Sequence, residues 1–229
     1  MRRVLVFTGS RGEWGYLRPV LDLFESHNLE PYIVATNMHV DPAYGSTGTE
    51  IEADGFCIKE RLPMTLSYET KYRWSHDLGV LASHIPGCIE RADPDLILIA
   101  GDRAETMMIA TLAYYTSVPI CHIQAGEKSG HKDGAARHAI GKLVHLHFAS
   151  NADAVARLLS MGEEPFRVHN VGAPQLDEIY QDEVSSEKQL EKKYNFSFKK
   201  NYLLTVLHPV TEELKDVENQ VEILIKSLK

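Results

Sequence analysis

With 229 residues and 44% hydrophobic content, the chain can bury a sizeable core without help from metals or disulfides. Its 24 Lys and Arg stand against 32 Asp and Glu, a net charge of −8. That balance argues against nucleic acid or an anionic membrane as a general partner, yet leaves room for an anionic small molecule held by a local cluster of donors.

The first apolar run, Val4–Phe7, reads as a buried strand and ends in Thr8-Gly9-Ser10-Arg11-Gly12. A helical pattern follows, with Leu17, Val20, Leu21 and Phe24 on one face. Tyr32–Ala35 is a second strand, ending in Asn37-Met38-His39, and Phe56–Lys59 is a weaker third. A long helix is expected over Tyr68–Arg91, closed by Asp93-Pro94. Leu96–Ala100 has the continuous apolar character of a strand covered on both faces, and it ends in Gly101-Asp102-Arg103.

The next helix carries Met107, Met108, Ala110, Thr111 and Ala113. Val118–Cys121 is a fifth strand, followed by His122-Ile123-Gln124-Ala125-Gly126-Glu127-Lys128-Ser129-Gly130. Helices at Ala135–Leu143 and Ala152–Met161 alternate with strands at Leu146–Phe148 and Val168–Val171. After Pro174 the segment Gln175–Lys193 is charged and helix-like, a linker. Tyr202–Leu207 then reads as a strand ending in His208, and Glu212–Leu228 as an amphipathic helix.

Strand–helix alternation with apolar strands predicts an α/β fold, a Rossmann-like doubly wound parallel sheet. The expected division is a domain at 1–174 and a second segment at 175–229 that holds a single strand–helix unit. Four polar clusters follow strands one, two, four and five, so all four fall on the carboxyl edge, where ligands bind in this class of sheet.

The three cysteines, Cys57, Cys88 and Cys121, are odd in number and lack CxxC spacing, so they read as reduced structural thiols. No apolar run reaches the roughly 18 residues of a membrane span. Met1-Arg2-Arg3 leads straight into the first strand, so no secretory leader is expected and the cytoplasm is the expected compartment.

The Gly-rich turn at Thr8–Gly15 matches neither GxGxxG nor GxxxxGK[ST], which excludes ordinary nicotinamide and P-loop readings. Its backbone amides and Arg11 suit an anion at a helix start. Asp102 is placed at the next helix start, with Arg103 beside it for a local ion pair. His145 and His147 alternate along a strand and read as structural. Eleven histidines raise the question of a metal, but there is no HExxH and no compact ligand spacing, so no metal is expected. The region from Gln124 to His138 brings Glu127, Asp133, Arg137 and His138 together around glycines. That mixture suits general acid–base chemistry in a shaped cleft.

Taken in order, Thr8–Arg11, Asn37–His39, Tyr44–Thr47, Gly101–Arg103, His122–Glu127, Lys128–Gly130, Asp133, Arg137–Ile140, Lys142-Leu143 and His208–Thr211 resemble the hydrolysing UDP-N-acetylglucosamine 2-epimerases of sialic and related nonulosonic acid biosynthesis. The resemblance implies a glycosyltransferase-B-like fold with the active site between two Rossmann-like domains, only the start of the second being present here. It implies loss of the nucleotide diphosphate by elimination, then hydration of the glycal to N-acetylmannosamine, with no cofactor. The implied partner is a nucleotide-sugar substrate, and relatives of this kind commonly form homodimers.

By the same resemblance, Asp102, Glu127, Asp133 and His208 would be catalytic. Arg11, His39, Arg103, Gln124, Arg137 and His138 would bind substrate. The chain departs from the pattern at Gln124, where some relatives have a glutamate. It departs also at Glu13, where relatives often have an aspartate, and at Ala125, where they often have a second glycine. Family members are considerably longer. A non-hydrolysing epimerase and a binding protein without turnover are the alternatives.

Overall fold

The computed structural model describes residues 1–64, 72–130, 132–177, 179, 185–198, 201–209 and 211–228. These fall into two compact units, Met1–Asp182 and Glu183–Lys229.

The first unit is a seven-stranded parallel sheet. Its elements in chain order are β1 (Arg2–Thr8), α1 (Arg11–Leu21), β2 (Leu29–Ala35), α2 (Gly48–Ala53), β3 (Ile58–Arg61), α3 (Arg73–Ala92), β4 (Leu96–Ala100), α4 (Ala104–Tyr114), β5 (Ile120–Ala125), α5 (Lys132–Leu143), β6 (Leu146–Ala149), α6 (Ala152–Ser160) and β7 (Val168–Asn170). The strand order is β3-β2-β1-β4-β5-β6-β7, with every pairing parallel. The expected doubly wound sheet is therefore present. Its order reverses between β1 and β4, and this opens a crevice at the carboxyl ends of those two strands.

Because strand side chains alternate between faces, each strand feeds two cores. Leu5 and Phe7 of β1 join Ile97, Ile99 and Ile120 under α3, α4 and α5, which bury Leu81, Ile85, Ile109 and Ile140. Val4 and Val6 join Ile33, Leu98, Cys121 and Ile123 under α1 and α2, which bury Trp14, Leu17, Leu21 and Ile51. Full burial of a side chain such as Leu17 contributes about 1.5–3 kcal/mol. Helix α1 starts at Ser10, whose hydroxyl accepts from the Glu13 amide at 3.4 Å. A smaller apolar group, Ala125, Ala149, Ala154 and Leu158, seats α6.

Several boundaries differ from the sequence expectation for identifiable reasons. The third strand lies at Ile58–Arg61 instead of Phe56–Lys59, because Phe56 turns in to meet Trp14 edge-on at 5.2 Å. Helix α3 begins at Arg73, and the expected start at Tyr68 lies outside the described residues. Cys88 and Cys121 are buried, whereas Cys57 is exposed despite its apolar neighbours, and all three are free thiols.

The first compact unit runs to Asp182. A short turn at Pro174–Leu176 lies against this unit, and Gln175 Oε1 accepts from Gln124 Nε2 at 3.1 Å. Within the expected linker the described residues include that turn and α7 (Glu187–Tyr194).

The strand expected at Tyr202–Leu207 is not formed: residues 201–209 have no regular structure. The second unit holds α7, a 3-10 turn at Thr211–Asp216 and α8 (Val217–Ser227). Among its described residues no strand offers a ladder for lone backbone donors and acceptors. Tyr202 instead packs edge-on with Phe196 and Phe198, at 5.8 and 5.1 Å, while Leu203 and Leu204 remain exposed. Among the described residues no helix is long and apolar enough to cross a membrane.

Candidate functional site

The carboxyl edge of the sheet gathers most of the residues singled out in the sequence. Strand β5 runs two steps beyond Ile123, and its pairing with β6 shifts between Ile123 and Ala125. Gln124 is the extra residue of this bulge and holds φ +63°. For a residue with a Cβ, that left-handed conformation costs about 1–3 kcal/mol, so its surroundings must impose it. They do so through Arg137 of α5, whose Nη1 donates to the Gln124 carbonyl at 2.5 Å. The same guanidinium uses Nη2 to pair with Asp102 after β4. Ser129 Oγ adds a bond to the same Asp102 oxygen at 2.7 Å. One arginine thus ties together the loops after β4 and β5 and the following helix, as a two-pronged donor can.

The sequence leaves a local ion pair between Asp102 and Arg103 possible; in the structure Arg103 takes another partner. Arg103 is the N-cap residue of α4, and its Nε donates to Glu105 Oε1 at 2.7 Å. Burial opposes the Arg103 charge, but Glu105 foremost, then Glu13 and Asp133, hold its pKa above the usual range. Asp133, in the first turn of α5, therefore lies within electrostatic reach of Arg103.

His122 is fully buried, and its Nε2 meets the Gly101 carbonyl at 2.6 Å. Burial pushes its pKa down to about 3, so the ring is neutral and donates through Nε2. It fastens β5 to the Gly101 turn from below.

The remaining expected residues take separate positions. Glu127 accepts from Ser150 Oγ and, at 2.7 Å, from Asn151 Nδ2, which link it to the end of β6. His39 is buried, and both ring nitrogens meet hydroxyls: Nε2 meets Thr8 at 3.0 Å and Nδ1 meets Thr47 at 2.9 Å. Burial lowers its pKa as well. Arg11 is 70% exposed at the start of α1, 3.7 Å from Glu50. The half-buried His138 keeps a buried Nδ1 that has no hydrogen-bond partner among the described residues. His208 is exposed and belongs to the second unit.

Sequence reasoning noted Glu13 only as a departure from the family pattern and missed Glu105, and it placed neither carboxylate in the crevice between β1 and β4. Glu13 accepts from the Gly9 amide at 2.5 Å and from Thr106 Oγ1 at 2.9 Å. Glu105 accepts from Asn37 Nδ2 at 2.5 Å and from Arg103. Both are almost fully buried. A signal for Glu105 existed: it is the one charged side chain in the otherwise apolar run Ala104–Tyr114.

Chemically, this edge offers carboxylates, arginines and amide donors around a crevice, the equipment for binding an anionic group and moving a proton beside it.

Residues 22–229 match the UDP-N-acetylglucosamine 2-epimerase family. A UDP-N,N'-diacetylbacillosamine 2-epimerase (hydrolyzing) of Legionella pneumophila is 34% identical over 99% of this chain and 60% of its own length. A UDP-N-acetylglucosamine 2-epimerase of Neisseria meningitidis is 33% identical over 93% of this chain and 56% of its own. The chain thus spans about 60% of the length of such relatives. Among solved structures, UDP-GlcNAc 2-epimerase from Neisseria meningitidis bound to UDP-GlcNAc superimposes with a TM-score of 0.69 at 21% identity, over 86% of this chain and 55% of that one. The likeness is one of fold, and it places the sheet in the glycosyltransferase-B-like class.

Proposed function

We propose a function on one premise: the chain belongs to the UDP-N-acetylglucosamine 2-epimerase family. On our reading, a protein of the relatives' full length converts UDP-N-acetylglucosamine, or a related nucleotide amino sugar, to N-acetylmannosamine and UDP. The word "hydrolyzing" in the name of the 34% identical relative supports this over an epimerase that keeps the nucleotide attached. The UDP-GlcNAc of the similar solved structure supports the substrate class. The observation that carries the reading is the Arg137 fork, which brings Asp102 and the Gln124 carbonyl together on the carboxyl edge of the sheet.

The chemistry has two stages. A carboxylate removes the C2 proton as the C1–O bond to the diphosphate breaks, which leaves a glycal and UDP. Water then adds its hydroxide to C1, and a proton returns to C2 from the opposite face. The C2 proton is only weakly acidic, so its removal must be coupled to departure of a stabilised leaving group. Arg103 and Arg11 supply cations for the diphosphate, and amides at the start of α1 assist them.

Asp133 and Glu127 are assigned the proton transfers. Asp102, tied to Arg137 and Ser129, orients the sugar from the opposite loop. Gln124 cannot exchange a proton at neutral pH and is assigned to amide hydrogen bonding. His138 is assigned to the substrate side, His39 to holding the Thr8 and Thr47 hydroxyls behind it, and His208 to the second domain of which residues 175–229 are the start.

The test is product analysis of a full-length version of the chain against a small panel of UDP- and GDP-linked amino sugars, with Glu127→Gln and Asp133→Asn alongside. Free N-acetylmannosamine with UDP supports the proposal. UDP-N-acetylmannosamine instead assigns the non-hydrolysing reaction, and binding without turnover assigns neither. Full activity in both variants removes Glu127 and Asp133 from the proton-transfer roles.

A further inference from the structure

Between the carboxyl ends of β1 and β4, the two carboxyl groups of Glu13 and Glu105 flank one glycine. A Cβ on Gly9 would lie 2.8 Å from Glu105 Oε1 and 3.3 Å from Glu13 Oε2. The acids are 3% and 1% exposed. They reach this crevice from different elements, Glu13 from the first turn of α1 and Glu105 from the first turn of α4.

Their donors are few. Glu13 has the Gly9 amide and the Thr106 hydroxyl, and Glu105 Oε1 has Asn37 and Arg103. Among the described residues, Glu105 Oε2 is buried with no partner. The charges facing Glu13 are Glu105 of α4 and Arg103, the N-cap residue of α4, with Asp133 of α5 acting on Arg103 from beyond. Two ionised carboxylates against one arginine would leave an uncompensated negative charge out of water, a costly arrangement. One proton removes the imbalance.

We propose that Glu13 and Glu105 form a buried carboxyl pair sharing one proton, and that this pair is a positioning device which sets Arg103 and the Gly9–Ser10 turn for the substrate's diphosphate. Glu105 is the ionised member, because it receives the guanidinium. Glu13 is the protonated member: burial first, then the Glu105 charge, push its pKa up to about 8 against the hydrogen bonds from Gly9 and Thr106. As a neutral acid, Glu13 lets Arg103 present its positive charge to a ligand. When Glu13 ionises, Arg103 is held between two carboxylates and the crevice turns negative. The diphosphate part of this proposal rests on the function proposed above, whereas the shared proton does not.

The test has two arms. In the first, carboxyl-13C glutamate is incorporated and followed by NMR across pH in the unsubstituted protein. One resonance is expected to titrate far above the rest and to vanish in Glu13→Gln, whose amide mimics the protonated acid. Should that variant not fold, Thr106→Val gives the same information: loss of a donor to the ionised form moves the high midpoint further up. Absence of a high-titrating glutamate overturns the pair.

The second arm measures UDP binding by calorimetry with a full-length chain. Affinity is expected to fall about tenfold from pH 7 to pH 9 in the parent, the scale of one added charge near a phosphate site. In Glu13→Gln it is expected to stay flat. Equal pH dependence in both overturns the positioning role. No UDP binding at any pH overturns the nucleotide reading and the positioning role with it, and leaves the shared proton to stand or fall on the first arm.

Discussion

Replacement of Gly126 by alanine should be among the most damaging one-carbon changes in the molecule. Gly126 sits between Gln124 and Glu127 with φ +77°. A Cβ there would lie 2.5 Å from the Ala154 carbonyl oxygen and 2.8 and 2.9 Å from Leu158 Cγ and Cδ1. The first contact is with the backbone of α6 and cannot be relieved by rotating a side chain. Left-handed backbone costs an alanine about 1–2 kcal/mol, and a clash in a packed region typically about 1–3 kcal/mol more. The sum, about 2–5 kcal/mol, is a large part of the 5–15 kcal/mol typical of a folded protein. At about 2–4 °C per kcal/mol for this size, the melting temperature should drop on the order of 10 °C. Gly130, in the same loop, is the control: no heavy atom of the described residues lies within 4 Å of its Cβ position, and its φ is not left-handed. Gly130→Ala should therefore stay within about 0.5 kcal/mol of the parent or gain slightly from reduced unfolded-state entropy. Urea unfolding of both variants is the assay. A Gly126→Ala midpoint equal to that of Gly130→Ala would refute the packing of this loop on α6.

Two further outcomes follow from the site. Arg137→Met should destabilise by about 1.5–3 kcal/mol in urea, because it removes the charged donor from the Asp102 carboxylate and from the strained Gln124 carbonyl, and adding Asp102→Asn should recover part of the loss; strict additivity would contradict the fork. On the acid side, His122, His39 and His147 are all shifted down by burial, His122 to about 3. The unfolded chain then takes up protons below about pH 6.5 that the fold refuses. Stability present above that pH is lost as pH falls toward 3, and His122→Gln should make this limb shallower. Glu13 acts in the opposite sense, its raised pKa weakening the fold as pH climbs from 4.5 to about 8.

How far the sequence revealed the molecule depended on whether a feature was local. Leu96–Ala100 was legible to the residue, since a strand buried on both faces is apolar throughout. Strand β5 was expected to end at Cys121 but runs to Ala125. His122 and Gln124 look like loop residues, yet the His122 ring is buried on a backbone carbonyl. The carboxyl-edge position of Asp102, Gln124, Asp133 and Arg137 followed from strand alternation alone. Their pairing did not: Asp102 reaches past its neighbour Arg103 to Arg137, thirty-five positions along. No local spacing encodes a partner that tertiary packing supplies. The pairing of Glu13 with Glu105 was hidden for the same reason, since each alone reads as a carboxylate in the first turn of a helix. Tyr202–Leu207 has the composition of a strand, but a strand is a property of a ladder, and the second unit offers none among its described residues.

The most direct test of the central claim is the fate of the C2 hydrogen. UDP-N-acetylglucosamine is incubated in D2O with a full-length version of the chain, and the products are read by proton NMR. Removal of that proton by a carboxylate, with UDP departing from C1, predicts N-acetylmannosamine carrying deuterium at C2, formed in step with UDP. Sugar released with its original C2 proton and unchanged configuration would show simple hydrolysis and would contradict the account.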